Sequence, residues 1–480
     1  MNMNKLKTRD KYCVELPFKI IYLVFAFFTY CNLTYNRPIM SIMVDLVLLT
    51  GAIVVLFRVL MLKGYLQTKG IIFLILFCVS YIVSMVANYQ YGISDNFKYL
   101  IWTGFHLFVF FMCDVRRKIK DYKKEFDVIS WVFVFISFVL VFGSLVMYYM
   151  GISIEAYDQQ DGVLLAGVVW GRLWGTFTDP NYGSVFATLA AVFSYYKIKY
   201  IKKKVVKVLL GFNILSDFLY IALSDSRTGI VCLFSCTFVY AILMKIKVGK
   251  KIYVGIVIST LIFSIGMATI PVLLKNVNNN IISAEQGVTE NEEAEEKGKD
   301  ELLIGREADL EGNFSNRRTD IWMSALEIFK TKPIIGVSFF NLVPYTEENL
   351  PETYLVNNDL GVFNNFHNMP LNLLAGQGIV GFGIMMAFGI IIVMYVFRKW
   401  LDNEYDMYEY KVVLITGIIA SLECSMFVTD VLYTNSPMSV MFWLLLGYLV
   451  HYTMQVSETM KKCEIEEKNE GYNYNCNTSI

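Results

Sequence analysis

Apolar runs, each near the roughly 20 residues needed to cross about 30 Å of hydrocarbon, follow one another along most of the chain. They fall at about 18–35, 40–60, 70–88, 98–114, 128–150, 181–197, 205–223, 229–244, 252–274, 370–397, 411–430 and 436–454. The pattern predicts an all-α integral membrane protein of about twelve transmembrane helices. Four segments result: helices one to nine over 1–274, a loop over 275–369, helices ten to twelve over 370–454, and a tail over 455–480.

The polar breaks between the runs alternate in charge. One set holds Lys5, Lys7, Arg9 and Lys11, then Arg58, Lys63 and Lys69, then the basic stretches at 116–124, 197–207 and 245–251, then Arg398, Lys399 and Lys411. The opposite short breaks hold only Arg37, Lys98, Arg172 and Arg227. Lys and Arg accumulate in cytoplasmic loops, so both termini are expected in the cytoplasm. The two long breaks, at about 151–180 and 275–369, then face outside.

The second long break opens with an acidic, low-complexity stretch over 276–311 that includes Glu292, Glu293, Glu295 and Glu296. Such a composition reads as a solvated segment rather than a calcium site. Beyond it, Ile321, Trp322, Ala325, Leu326, Ile328 and Phe329 recur at helical spacing until Pro333 and Gly336. This helix is too short to span and is expected along the outer interface or capping the bundle.

Composition agrees with the pattern: 56% of the 480 residues are hydrophobic and 18% charged, too little polar surface for a soluble chain. The 42 Lys and Arg balance 42 Asp and Glu, so there is no basic field for nucleic acid. The nine cysteines lie in apolar runs or tails, which suggests neither disulfides nor a zinc site. Cys232 and Cys236, one helical turn apart, read as packing. The basic start at 1–11 is followed by an apolar run without a small-residue cleavage site, so the first span is expected to stay. No GxxxxGK[ST], CxxC, GxSxG or HExxH is present, which removes the signatures of ATP-driven transport, redox chemistry and common hydrolases. Nor is there an Asp-X-Asp pair to hold a metal on a nucleotide sugar. A sugar donor for this chain should therefore be lipid-linked, and no metal or other cofactor is expected.

Candidate chemistry lies on the cation-poor side. Arg172 sits in GRLWGTFTDPN, Arg227 in the short turn SDSRTG, Arg317 and Arg318 at the start of the loop helix, and His367 in FHN before the tenth run. A guanidinium presents a rigid fork of donors to phosphate oxygens and stays charged when partly desolvated. Four arginines and one imidazole at the membrane surface suit a lipid pyrophosphate better than any one of them would alone. Asp45, Asp217 and Glu423 interrupt apolar runs, where an ionisable group usually faces a cavity or a partner.

Four segments taken together, GRLWGTFTDPNYGSVFATLA, SDSRTGI, NRRTDIWMSALEIFKTKPIIGV and FHNMPLNLLAGQGIVGF, resemble the O-antigen ligase and polymerase superfamily. The resemblance covers about 165–385. It implies a GT-C-type helical bundle with its cavity at the outer surface of the bacterial cytoplasmic membrane. It also implies a glycosyltransferase acting on undecaprenyl-pyrophosphate-linked glycan. By the same resemblance Arg172, Arg227 and Arg317 or Arg318 bind pyrophosphate, and His367 activates the acceptor. Asp179, Asn181 and Asn368, within the same segments, are further candidate substrate contacts. A polymerase of capsule, exopolysaccharide or O-antigen is expected ahead of a ligase, with a chain-length regulator and a flippase as partners. A lipid-glycan flippase or secondary transporter is the reading from another class, but no internal repeat supports it.

Overall fold

The computed structural model describes residues 14–158, 162–246, 253–288, 304, 317–358, 361–398 and 407–470. A helix covers most of each predicted apolar run, though the first ends at Thr29 rather than near residue 35. The helices are α1 (Glu15–Thr29), α2 (Pro38–Leu60), α3 (Ile71–Ala87), α4 (Ile93–Phe105, continued by a π-helical turn, His106–Phe111) and α5 (Ile119–Tyr149). They continue with α6 (Pro180–Tyr200), α7 (Lys204–Leu223), α8 (Arg227–Ile246) and α9 (Tyr253–Val288). After the loop helices α10 (Arg318–Thr331) and α11 (Leu342–Asn349) come α12 (Met369–Arg398), α13 (Tyr408–Phe427) and α14 (Pro437–Glu470). Eight are long and apolar enough to cross a membrane on length and composition. This is an all-α membrane protein.

Burial separates central from peripheral helices. The most apolar window of α14 is 89% buried, against 17% for α2 and for α9, so α14 runs through the core while those two face outward. Trp443 and Tyr448 of α14 are fully enclosed.

At the Lys- and Arg-rich end, buried ion pairs join α1, α2, α5 and α14. Glu15 receives both Nε and Nη2 of Arg58 at 3.0 Å and the hydroxyl of Tyr65, while Glu125 receives Lys19, Arg117 and the hydroxyl of Tyr448. Each carboxylate is met by several donors. Removing one partner would leave a buried charge unmatched, which costs about 3–5 kcal/mol.

The opposite end departs from a purely helical reading. Within the 151–180 break the chain forms β1 (Ser153–Asp158), β2 (Gly162–Val169) and β3 (Arg172–Gly175), a small antiparallel sheet in the order β1-β2-β3. A two-residue turn, Trp170–Gly171, joins β2 to β3 with both φ angles positive (51° and 62°), and pairs Val169 with Arg172. The primed turn matches the twist of the strands it connects. A bridge between Cys31 and Phe177 ties the sheet to the end of α1.

The loop after α9 also differs from expectation. The helix does not stop near residue 274 but continues to Val288, so the first part of the 276–311 stretch is helical; most of the rest lies outside the described residues. The short amphipathic helix is present as α10. It is followed by a turn segment that docks into a break in α12 through four backbone bonds: Val337 N to Ala375 O (2.9 Å), Ser338 N to Gly376 O (2.8 Å), Ile379 N to Pro333 O (2.8 Å) and Val380 N to Ile334 O (3.3 Å). At the break Gly378 has φ 64° and ψ −165°. A Cβ there would lie 2.3 Å from the Ile334 carbonyl oxygen. The loop helix is therefore held against a transmembrane helix through backbone bonds rather than floating on the interface.

Candidate functional site

Two turns meet at Asn181. Arg172, at the start of β3 and buried, donates Nε to the Ser224 carbonyl (2.8 Å) and Nη2 to Asn181 Oδ1 (3.1 Å). The Ser226 hydroxyl donates to the same Oδ1 (2.9 Å) and accepts from Gly229 N (3.1 Å), which caps α8. Arg227 follows directly, exposed at the first position of α8. Asp179 caps α6 by accepting from Asn181 N (2.6 Å), and the Ser184 and Ser224 hydroxyls stand 2.7 Å apart. The sequence motifs GRLWGTFTDPN and SDSRTG, about 50 residues apart, thus form one polar knot.

His367 stands at φ 50°, an uncommon backbone state for a residue with a Cβ. Its neighbours hold it there. Phe366 N donates to Asn372 Oδ1 (3.0 Å), Trp322 of α10 donates its indole N–H to the Phe366 carbonyl (3.1 Å), and His367 N donates to Asn365 Oδ1 (2.8 Å). Asn368 caps α12 by accepting from Leu371 N (3.1 Å) and donates to the Met426 carbonyl (3.2 Å). Both ends of its amide are engaged in holding the turn.

The imidazole lies 2.8 Å from the Val428 carbonyl through Nδ1. A carbonyl can only accept, so Nδ1 carries a proton, and in the neutral ring Nε2 is left with its lone pair. Burial lowers the pKa below its ordinary 6.5; the bond to Val428 and the charge of Asp179 pull it back up, and Arg318 pushes it down. The ring is neutral at physiological pH and offers a base at Nε2. Asp179 and Arg318 are close enough to act on it electrostatically, which links the knot at Asn181 to the loop helix. The arginine doublet divides: Arg318 acts on His367, while Arg317, at φ 58° and exposed, reaches the Tyr354 hydroxyl (3.3 Å).

The turn after α13 is a part of this neighbourhood that the candidate residues did not include. Asp430 accepts from the backbone N–H groups of Leu432 and Tyr433 and from Asn372 Nδ2 (3.1 Å), the same Asn372 that holds Phe366. Burial pushes its carboxyl up to about 6 despite these donors. Tyr30 at the end of α1 meets the Thr429 hydroxyl at 2.9 Å, and its carbonyl accepts from Thr178 N. Asp430 closes the predicted run at 411–430; the TDVLYTNSP stretch around it, polar and turn-rich, is the available signal.

The acids inside the apolar runs have three different settings. Asp45 is exposed on α2. Asp217 is enclosed and accepts from Asn213, whose amide also bonds Ser194 (3.0 Å). Glu423 meets Ser235 and Cys232. None of them joins the His367 neighbourhood through a contact described above. Cys232 and Cys236 have sulfurs 4.0 Å apart, unbonded and buried.

Residues 212–386 match the family model described as O-antigen ligase. The match, over somewhat more than a third of the chain, supports its likeness to the O-antigen ligase and polymerase superfamily. The matched stretch holds SDSRTG, the loop helix and FHN, and ends inside α12. Arg172, Asp179 and Asn181 lie upstream of it and reach it only through the contacts above. No curated protein matches the chain.

The opposing charges on His367 give a test of this geometry. Arg318→Gln is expected to raise the imidazole pKa and Asp179→Asn to lower it further, because each removes the influence that now pushes the other way. Histidine NMR titration of the purified chain would read both shifts. Equal pKa values in the two variants would mean that neither group faces the ring.

Proposed function

We propose that the chain is a polysaccharide polymerase. It moves glycan from an undecaprenyl-pyrophosphate-linked donor to a sugar hydroxyl of another lipid-linked repeat unit, at the outer face of the bacterial cytoplasmic membrane with both termini inside. The observation that carries this reading is the patch in which Arg172, Asp179 and Ser226 meet at Asn181 by hydrogen bonds, with Arg227 beside it and with Asp179 and Arg318 acting electrostatically on His367.

In this scheme the acceptor oxygen forms a bond to the anomeric carbon as the bond from that carbon to the pyrophosphate oxygen breaks. The bonding pair leaves on the pyrophosphate, where guanidinium groups of Arg172, Arg227 and Arg318 stabilise the developing charge. The hydroxyl proton passes to His367 Nε2. Attack from the face opposite the leaving group inverts the anomeric centre. Asn181 holds Arg172, and Asp179 moderates the base. Asn368 and Asn365 hold the turn that presents the ring, and Arg317 borders the patch through Tyr354.

A deletion strain separates polymerase from ligase. Accumulation of single lipid-linked repeat units with no polymer is the expected outcome. Accumulation of long lipid-linked chains would instead identify transfer of finished glycan to a final acceptor. Movement of unmodified lipid-linked substrate between leaflets of reconstituted vesicles, without chain growth, would replace both readings with a transporter.

A further inference from the structure

The basic half of the bundle contains a cavity of about 570 Å³ between α6, α7, α8 and α9. This lies within the ~300–1,000 Å³ of pockets that take a small ligand. Ala191, Phe218 and Leu233 form its inner wall, a small apolar cluster separate from the main core. Tyr195 and Phe263 border it and are 49% and 51% exposed, so it can be entered sideways from the bilayer.

Two lysines line the cavity at its basic end, and they differ in what they hold. Lys199 is paired with Glu409 and also bonds the Tyr240 hydroxyl. Lys245 donates to the Ser259 hydroxyl at 3.2 Å, and among the described residues no carboxylate pairs with it. An ammonium that no described carboxylate pairs with, beside an apolar slot open to lipid, matches one kind of molecule: a phosphate attached to hydrocarbon. A free anion would gain nothing from the slot, and a lipid without net charge would gain little from the lysine. A second groove, of about 740 Å³ and lined by Leu56, Tyr65 and Phe105, offers no such site because its cation, Arg58, is already committed to Glu15.

We propose that this cavity binds one acyl chain of an anionic glycerophospholipid whose phosphate is held by Lys245. The proposal does not depend on the reading of the His367 patch.

Native mass spectrometry of the purified full chain, titrated with phosphatidylglycerol or phosphatidylcholine, tests it. The wild type should bind its first phosphatidylglycerol at least ~5-fold more tightly than phosphatidylcholine, the size expected for one lysine near a lipid surface. Lys245→Gln should remove that preference and Lys245→Arg should keep it. Ala241→Phe, which narrows the slot while keeping the ammonium, should weaken the first phosphatidylglycerol. Equal affinity for the two lipids in the wild type overturns the proposal, and so does a preference that survives Lys245→Gln or a first-phosphatidylglycerol affinity that Ala241→Phe leaves unchanged.

Discussion

His367→Ala is expected to abolish polymer formation while the protein still accumulates in the membrane. Loss of a positioned base costs about 10²–10⁴ in rate. Arg227→Ala, removing a cation from the leaving group, should cost about 10²–10³ by analogy with the loss of one oxyanion donor. Purified protein with its native lipid-linked repeat unit is the assay, and normal polymer from both variants would refute the assignment. The pH profile adds a sign. The base acts when neutral, and its pKa lies below 6.5, so the wild-type rate should hold as pH falls through 6.5 and decline only at more acid values. In Arg318→Gln the decline should begin at higher pH. The ring's contribution to stability follows the same direction: the fold keeps it neutral, so stability is lost as pH drops below the ordinary histidine value toward the lowered one.

Gly378→Ala is expected to be the most damaging small substitution in the loop anchor. A methyl group there would meet the Ile334 carbonyl oxygen at 2.3 Å, and the residue would have to hold φ 64°. Overpacking costs about 1–3 kcal/mol and a side chain in this glycine-only backbone region about 1–3 kcal/mol, so a loss of about 2–6 kcal/mol is expected. Gly336→Ala meets the same obstacle from the other side, with φ 67° and Gly376 C at 2.5 Å. Gly389 on the same helix has nothing within 4 Å of its would-be Cβ, and Gly389→Ala should be neutral or slightly stabilising. Thermal melting in detergent separates the three. Activity should fall with stability in the first two, because the docked segment after α10 holds that helix, and with it Arg318, against α12.

The helices were legible because a membrane span needs an unbroken apolar run, and period and length alone identify it. Two basic residues of the lysine-rich breaks, Arg58 and Arg117, meet Glu15 and Glu125 in the fold. The sheet at 153–175 was hidden because its strands are short and GVLLAGVV does not alternate in polarity. The run to Val288 was hidden because Asn276, Asn278, Asn279 and Asn280 break the apolar period just where the hydrophobic stretch ends. At the candidate site the sequence supplied the charged members but not their supports. Asn372, Asp430 and Val428 act through a shared amide, a buried turn and a backbone carbonyl, none of which has a residue-spacing signature. The different surroundings of Arg317, which reaches Tyr354, and Arg318, which acts on His367, likewise have no sequence signal.

Asn181 has one further implication. Its single amide oxygen is divided between Arg172, which precedes the family-matched stretch, and Ser226, which lies inside it. A fragment limited to residues 212–386 would contain the imidazole and three guanidiniums yet lack the strand that delivers the fourth. Minimal versions of such a catalyst must therefore begin upstream of β3, and splitting the gene between β3 and α8 should yield halves that work only when coexpressed.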